Sequence, residues 1–360
     1  MQEIIELTRK LVSFRSTEDN PSELRACADY IAGYFDGLDL LVERFEHKGI
    51  PSVYVSLNKT RTPKLILNAH FDVVPADDEM FEMKQEDNKL FGRGVNDDKG
   101  PLAIIMVLLK ELAQSKEKPD VAMLVTGDEE IGGHNGIQHV LEQEKVISQY
   151  AIVLDGGSLN KYITKAKGIC NMHLTSNGVE AHGSRPWQGE NAIVKLIKAY
   201  SRIDKLFQGK DQWDPTCSLN IIKGGETENK IPSKAKMALD IRYPDKKEMD
   251  STLKEIMKII DDEGLDVKTT GRPPLHCDED NAYFKELLRI STDVFGEKAE
   301  ASKAYGGSDA TYLMNAGIQC ALTKTNGGGS HSSDEFMELE GIGKLYEVLK
   351  RFCLSIENIK

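Results

Sequence analysis

Short apolar runs that alternate with helical spacing, and that break off into acidic residues or histidine, constrain this chain most. Lys64–Asn68 leads into Ala69-His70-Phe71-Asp72, Val121–Thr126 into Gly127-Asp128-Glu129-Glu130, and Tyr150–Leu154 into Asp155-Gly156-Gly157. A fourth candidate edge is the glycine-flanked loop GRGVNDDKG at Gly92–Gly100, and a later run, Cys320–Thr323, leads into KTNGGGSH at Lys324–His331. Between them lie helix-spaced segments: residues 2–14 with Ile4, Ile5, Leu7, Leu11 and Val12, and Pro101–Leu112, Gly133–Glu144, residues 280–294 and Leu339–Ser355. Asn20-Pro21 opens a further helix to about Leu38, with asparagine as cap and proline at the first helical position. Strands alternating with helices predict a largely parallel sheet covered on both faces, an α/β fold. In such sheets ligands bind where strands give way to loops, so the polar strand ends are expected to share one edge.

The pattern changes between residues 165 and 272. Gly168–Thr175, Ser218–Lys223, Ala235–Arg242 and Leu265–Thr270 read as strands; Asn191–Leu206 and Lys247–Asp262 read as helices. The order βαββαβ is ferredoxin-like and can stand as a separate small domain. Pro273-Pro274 marks the return. The expected division is residues 1–164 with 273–360 as one domain and 165–272 as an insert, in keeping with a chain of 360 residues.

The polar strand ends suggest a two-metal hydrolase. An aspartate offers two oxygens and can hold two cations roughly 3.5–4 Å apart, and Asp97 lies between His70 and the Asp128-Glu129-Glu130 turn. Taken singly, a His-x-Asp pair, adjacent loop aspartates and an acidic turn are each ordinary surface features; their company is what gives them meaning. His70 is the expected ligand, with Asp72 fixing its tautomer. Of the two glutamates, Glu130 is assigned to metal and Glu129 to proton transfer, because a base must reach the attacking water without being coordinated. Asp155 and His331 are further candidates. His47, His134, His139 and His276 have no such setting, and His173 reads as structural.

A net charge of −12 disfavours nucleic acid and anionic membrane as partners. Six scattered cysteines without C-x-x-C suggest free thiols in a reducing, cytoplasmic setting. The N-terminal segment lacks the apolar core of a signal peptide, and the longest apolar run, Leu102–Leu109, is too short for a bilayer. No phosphate-loop, dinucleotide or nucleophile-elbow spacing is found in the glycine-rich loops.

The chain resembles the co-catalytic zinc metallopeptidases and deacylases that include carboxypeptidase G, aminoacylase, acetylornithine deacetylase, succinyl-diaminopimelate desuccinylase and the carnosinase-type dipeptidases. The resemblance is carried by LILNAHFDVVP (65–75), LFGRGVNDDKG (90–100), VTGDEEIGG (125–133), LDGG (154–157), GVEAHGSRP (178–186), ENKIPSKAKMALDIRYP (228–244), GGSDA (306–310) and GGGSHSSDE (327–335). It implies one metal on His70, Asp97 and Asp155 and a second on Asp97, Glu130 and His331, with zinc the expected ion and cobalt or manganese as alternatives. It further implies a cis peptide at Asp97–Asp98 and an insert that serves as lid and homodimer interface. His182 would polarise the scissile carbonyl in the partner's site, and Asn229, Arg242 and Gly328 would contact substrate. For Arg242 an ion pair within the insert is the alternative. The expected activity is hydrolysis of an amide bond in a small peptide by a water bridging two zinc ions, with Glu129 as general base. Aspartate at 155 tends to accompany aminopeptidases and dipeptidases in this family, glutamate carboxypeptidases and deacylases. Deacylation of an N-acyl amino acid on the same metal core, and a relative that binds metal without turnover, are the alternatives. Thr311, where some members carry arginine, removes one expected substrate contact.

Overall fold

The structure is a computed structural model that describes residues 1–116 and 118–359. It divides into two compact units, the first made of Met1–Thr164, His276–Lys303 and Ser308–Lys360, the second of Lys165–Leu275 with Ala304–Gly307.

The first unit begins with α1 (Gln2–Val12) and α2 (Pro21–Gly33), followed by β1 (Leu41–His47), β2 (Ile50–Ser56), β3 (Leu65–His70), β4 (Lys84–Glu86) and β5 (Lys89–Phe91). Next come α3 (Lys99–Ala113), β6 (Val121–Thr126), α4 (Ile137–Glu142), β7 (Tyr150–Val153) and β8 (Lys161–Ala166). The second unit supplies β9 (Gly168–Asn177), β10 (Ala181–His182), α5 (Ala192–Ile203), β11 (Thr216–Gly224), β12 (Lys230–Ile231), β13 (Lys234–Tyr243), α6 (Lys246–Asp262) and β14 (Leu265–Arg272). The chain closes with β15 (Leu275–His276), α7 (Ala282–Phe295), β16 (Glu300–Ala304), α8 (Ala310–Asn315), β17 (Gln319–Leu322), β18 (Gly327–Gly328), β19 (Phe336–Glu338) and α9 (Leu339–Ser355).

The main sheet runs β1-β2-β6-β3-β7-β17-β8-β15, with β16 paired to β8. Its centre, β6-β3-β7-β17, is parallel. The flanks are antiparallel: β2 against β6, β1 against β2 and β8 against β17. The expectation of a parallel core is met, and the β1–β2 hairpin is an addition to it. Its two-residue turn, Lys48-Gly49, has positive φ at both positions (48° and 84°), the twist that suits a tight hairpin. Alternation places Leu65, Leu67 and Ala69 of β3 in a core shared with α1, α2, α3, α7 and α9. On the opposite face Cys320 Sγ lies 3.8 Å from the main-chain oxygen of Ala310, so α8 covers that side. The helix α3 is almost wholly buried, Leu102, Ile104, Ile105, Leu108 and Leu109 included; truncating one such leucine costs about 2–5 kcal/mol. That rigidity matters because the N-terminus of α3 carries the Asp97 loop.

Two local expectations are corrected. The Asp97 loop does not end a strand of the main sheet; it follows β5, which belongs to a separate four-stranded sheet β18-β19-β5-β4. The helix expected over Gly133–Glu144 is confined to α4, because the Asp128 carboxylate accepts the main-chain N–H groups of Asn135 and Gly136 (2.8 and 2.9 Å) and holds that stretch as a turn. In the second unit, the antiparallel sheet β11-β13-β9-β14 packs its alternate residues, Met172, Leu174, Met237, Leu239 and Ile241 among them, against α5 and α6, the βαββαβ order read from the sequence.

Candidate metal centre

The end of β3 delivers His70, which is 1% exposed. Its Nε2 lies 3.1 Å from Asp97 Oδ1 and its Nδ1 lies 3.0 Å from the main-chain oxygen of Asp72, with Asp72 Oδ1 farther away at 3.4 Å. The same carboxylate also has a second task. Asp72 Oδ1 accepts the N–H of Glu129 at 3.1 Å and Oδ2 that of Glu130 at 3.0 Å. One buried aspartate thus sets the turn after β6 and aims two successive glutamates.

The Asp97 loop is held from below by Glu335, a fully buried residue that was not among the candidates read from the sequence. Its carboxylate accepts the N–H groups of Gly94, Asn96 and Asp97 at 3.0–3.1 Å and pairs with Arg93 Nη1 at 2.6 Å. Both partners are nearly dry, which makes the pair costly to break from one side only. The following peptide, Asp97–Asp98, is cis. A Cβ on Gly100 would lie 2.1 Å from the Val95 oxygen, and one on Gly327 2.3 Å from Asn96 Oδ1. The loop and the GGGSH segment pack too closely for side chains there. Asn96 Nδ2 donates to Ser330 Oγ at 2.9 Å, tying the two loops together one residue before His331.

Two donor groups result, His70–Asp97–Asp155 and Asp97–Glu130–His331, each with ligand atoms within 4.8 Å of one another and both using Asp97. His331, with φ at 66°, places Nε2 2.9 Å from Glu130 Oε2 and 3.6 Å from Asp97 Oδ2. Asp155, two residues past β7, faces Lys324 Nζ at 4.0 Å.

The electrostatics are those of a crowded anionic pocket. Burial pushes Glu130 up to about 8, with Asp97 and Asp72 adding to it. Asp98, wholly buried beside the cluster, is held well above the carboxylate range by burial and by Asp155. Asp97 is also buried, yet His70 and Lys324 outweigh that and lower it. At His70 burial works against the imidazolium, but Asp72 and Asp97 prevail and raise it well above an ordinary histidine. Imidazole nitrogen with carboxylate oxygens is a donor set suited to zinc, cobalt or manganese, and the excess negative charge is what divalent cations would neutralise.

The other candidates are placed differently. Gly328 lies in β18, an edge strand of the same four-stranded sheet as β5, from which the Asp97 loop leaves. His182, Asn229 and Arg242 belong to the second unit. His182 is exposed, with Ser184 Oγ 2.8 Å from Nδ1, and the N–H of Gly183 donates to the Asn229 oxygen at 2.6 Å, bringing those two loops together. Arg242 forms a two-pronged pair with Asp240, two residues earlier on β13 (2.6 and 3.0 Å). The ion pair raised as an alternative from the sequence is present. All six cysteines are free. Among the described residues no helix is long and apolar enough to cross a membrane.

Over its whole length the chain aligns with succinyl-diaminopimelate desuccinylase of Hydrogenovibrio crunogenus, at 25% identity and covering 99% of both chains. Among solved structures it is similar to a tripeptidase from Staphylococcus aureus (TM-score 0.84, 20% identity, 99% of this chain and 98% of that one). It also matches a protein from Bacillus subtilis described as a dinuclear metal-binding peptidase (TM-score 0.73, 14% identity, 100% and 99%). At these identities the structural likenesses speak for the fold. The model of peptidase family M20/M25/M40 matches residues 66–355, so the chain belongs to that family and is a hydrolase.

Proposed function

We propose that the protein hydrolyses an amide bond in a small peptide, as a dipeptidase or aminopeptidase, with divalent ions held by His70, Asp97 and Asp155 and by Asp97, Glu130 and His331. The observation that carries the reading is the pair of donor groups joined through Asp97. When bound, such ions supply Lewis acidity toward the carbonyl and a water nucleophile at neutral pH. The chain's own residues do the rest. Asp72 fixes the backbone of Glu129, so that its carboxylate can take the proton from the attacking water and return it to the leaving amine. Glu335 holds Asp97 against the α3 N-terminus, and His331 sits in the turn that the Ser332 N–H closes onto the Gly329 oxygen.

His182 would polarise the scissile carbonyl from a partner subunit; Ser184 occupies its Nδ1 and leaves Nε2 for substrate. Support for a dimer through the second unit comes from β11, a sheet edge with Ile221 and Ile222 exposed, and from Val194 and Ile197 exposed on α5. Asp155 in place of glutamate favours substrates with a free amino terminus. Deacylation is the second reading, favoured by the full-length alignment to a desuccinylase. Zinc-loaded protein on a panel of dipeptides and their N-acetylated forms separates the two. Cleavage of only the free peptides is the expected result, and release of acetate would move the enzyme to the deacylases.

A further inference from the structure

The strand β17 ends at Leu322, which pairs in parallel register with Val153 of β7. Two residues beyond each partner stand Lys324 and Asp155, so the register itself sets a lysine beside a candidate ligand. The ammonium is 4.0 Å from Asp155 Oδ1, and the two side chains are only 15% and 17% exposed. At that distance the contact is an ion pair without a hydrogen bond. The other donor group differs: Glu130 and His331 face each other at 2.9 Å, and among the described residues no lysine or arginine is paired with either.

We propose that Lys324 makes the two metal positions unequal. It is a cation built into the chain, competing for Asp155 and repelling a divalent ion at the His70–Asp97–Asp155 position, while the Asp97–Glu130–His331 position feels it only through the shared Asp97. The ions then bind in order, the Asp155 position last, and its occupancy follows the free metal concentration. Lys324 is a positioning residue in this account, acting through Asp155 and not on substrate. A +1 charge 4.0 Å from a ligand oxygen in a poorly solvated pocket would oppose a +2 ion on that oxygen strongly enough to separate the affinities by about tenfold or more.

The inference rests on the two-metal reading, and one experiment separates their failures. Metal-stripped protein is titrated with zinc against a chelator, and stoichiometry and both affinities are read directly. Wild type is expected to take two ions with affinities at least about tenfold apart, and Lys324→Met to tighten the weaker ion by about tenfold. Lys324→Arg should keep the gap, since it keeps the charge; Lys324→Gln replaces the methionine variant if circular dichroism shows that variant misfolded. In a His331→Ala background the remaining ion should tighten on Lys324→Met, and in an Asp155→Asn background it should not. Fewer than two ions on wild type would overturn the two-metal reading. Two ions whose affinities do not respond to folded Lys324→Met or Lys324→Gln would overturn the inference alone.

Discussion

The candidate residues of the two units are held in opposite ways. In the first unit His70, Asp97 and the Glu129-Glu130 turn are buried or half-buried, and their backbones are tied down by two buried carboxylates, Asp72 and Glu335. In the second unit His182 and Asn229 are exposed, and Arg242 is occupied by its neighbour Asp240. One set is held by buried carboxylates, the other by contacts at or near the surface. The difference teaches that chemistry should depend on the first unit absolutely and on the second only by degree.

Asp97→Ala should have the largest effect, removing both ions and lowering turnover by roughly 10³-fold or more, checked by metal analysis beside kinetics. Glu129→Gln should lower kcat by about 10²–10⁴-fold with ion content unchanged. A simultaneous loss of metal would make Glu129 a ligand instead of a base. For His182→Ala, on the second unit, a fall in turnover of about 10²-fold is expected with an unshifted melting temperature. Unchanged kinetics would break the comparison by making that unit a bystander to the chemistry. Glu335→Gln tests whether preorganisation matters: metal affinity should drop about 10–100-fold, and stability should fall by about 3–5 kcal/mol because Arg93 is left buried and unpaired. The smallest and most graded effect is that of pH. Without metal, Glu130, at about 8, and His70, raised further above its usual value, hold protons at pH 7 that a cation must displace. Uptake should therefore release protons, and affinity should rise as pH approaches and passes 8, seen by calorimetry in buffers of differing ionisation enthalpy.

How much of this was legible in the sequence depended on what defines each role. His70, Glu130 and Asp155 could be singled out as candidate ligands because metal chemistry needs those residue types and a strand end delivers them, and Glu129 as a candidate base because it neighbours one of them. Glu335 could not, since its meaning lies in hydrogen bonds to Gly94, Asn96 and Asp97, some 240 residues back along the chain; within SSDE it looks like one more surface acid. Lys324 opens the KTNGGGSH loop but acquires its proposed role only from the β7–β17 register. The Asp240–Arg242 pair was the more accessible case, because residues two apart on a strand share a face. The parallel centre of the main sheet followed from the alternation of elements, whereas the hairpin added at its edge depended on a two-residue turn at Lys48-Gly49.

The most direct test of the central claim is anomalous diffraction from a zinc-loaded crystal. Two peaks roughly 3.5–4 Å apart are expected, with an oxygen of Asp97 on each, one flanked by His70 and Asp155 and the other by Glu130 and His331. A single peak, or peaks whose ligands do not include Asp97, would contradict the account.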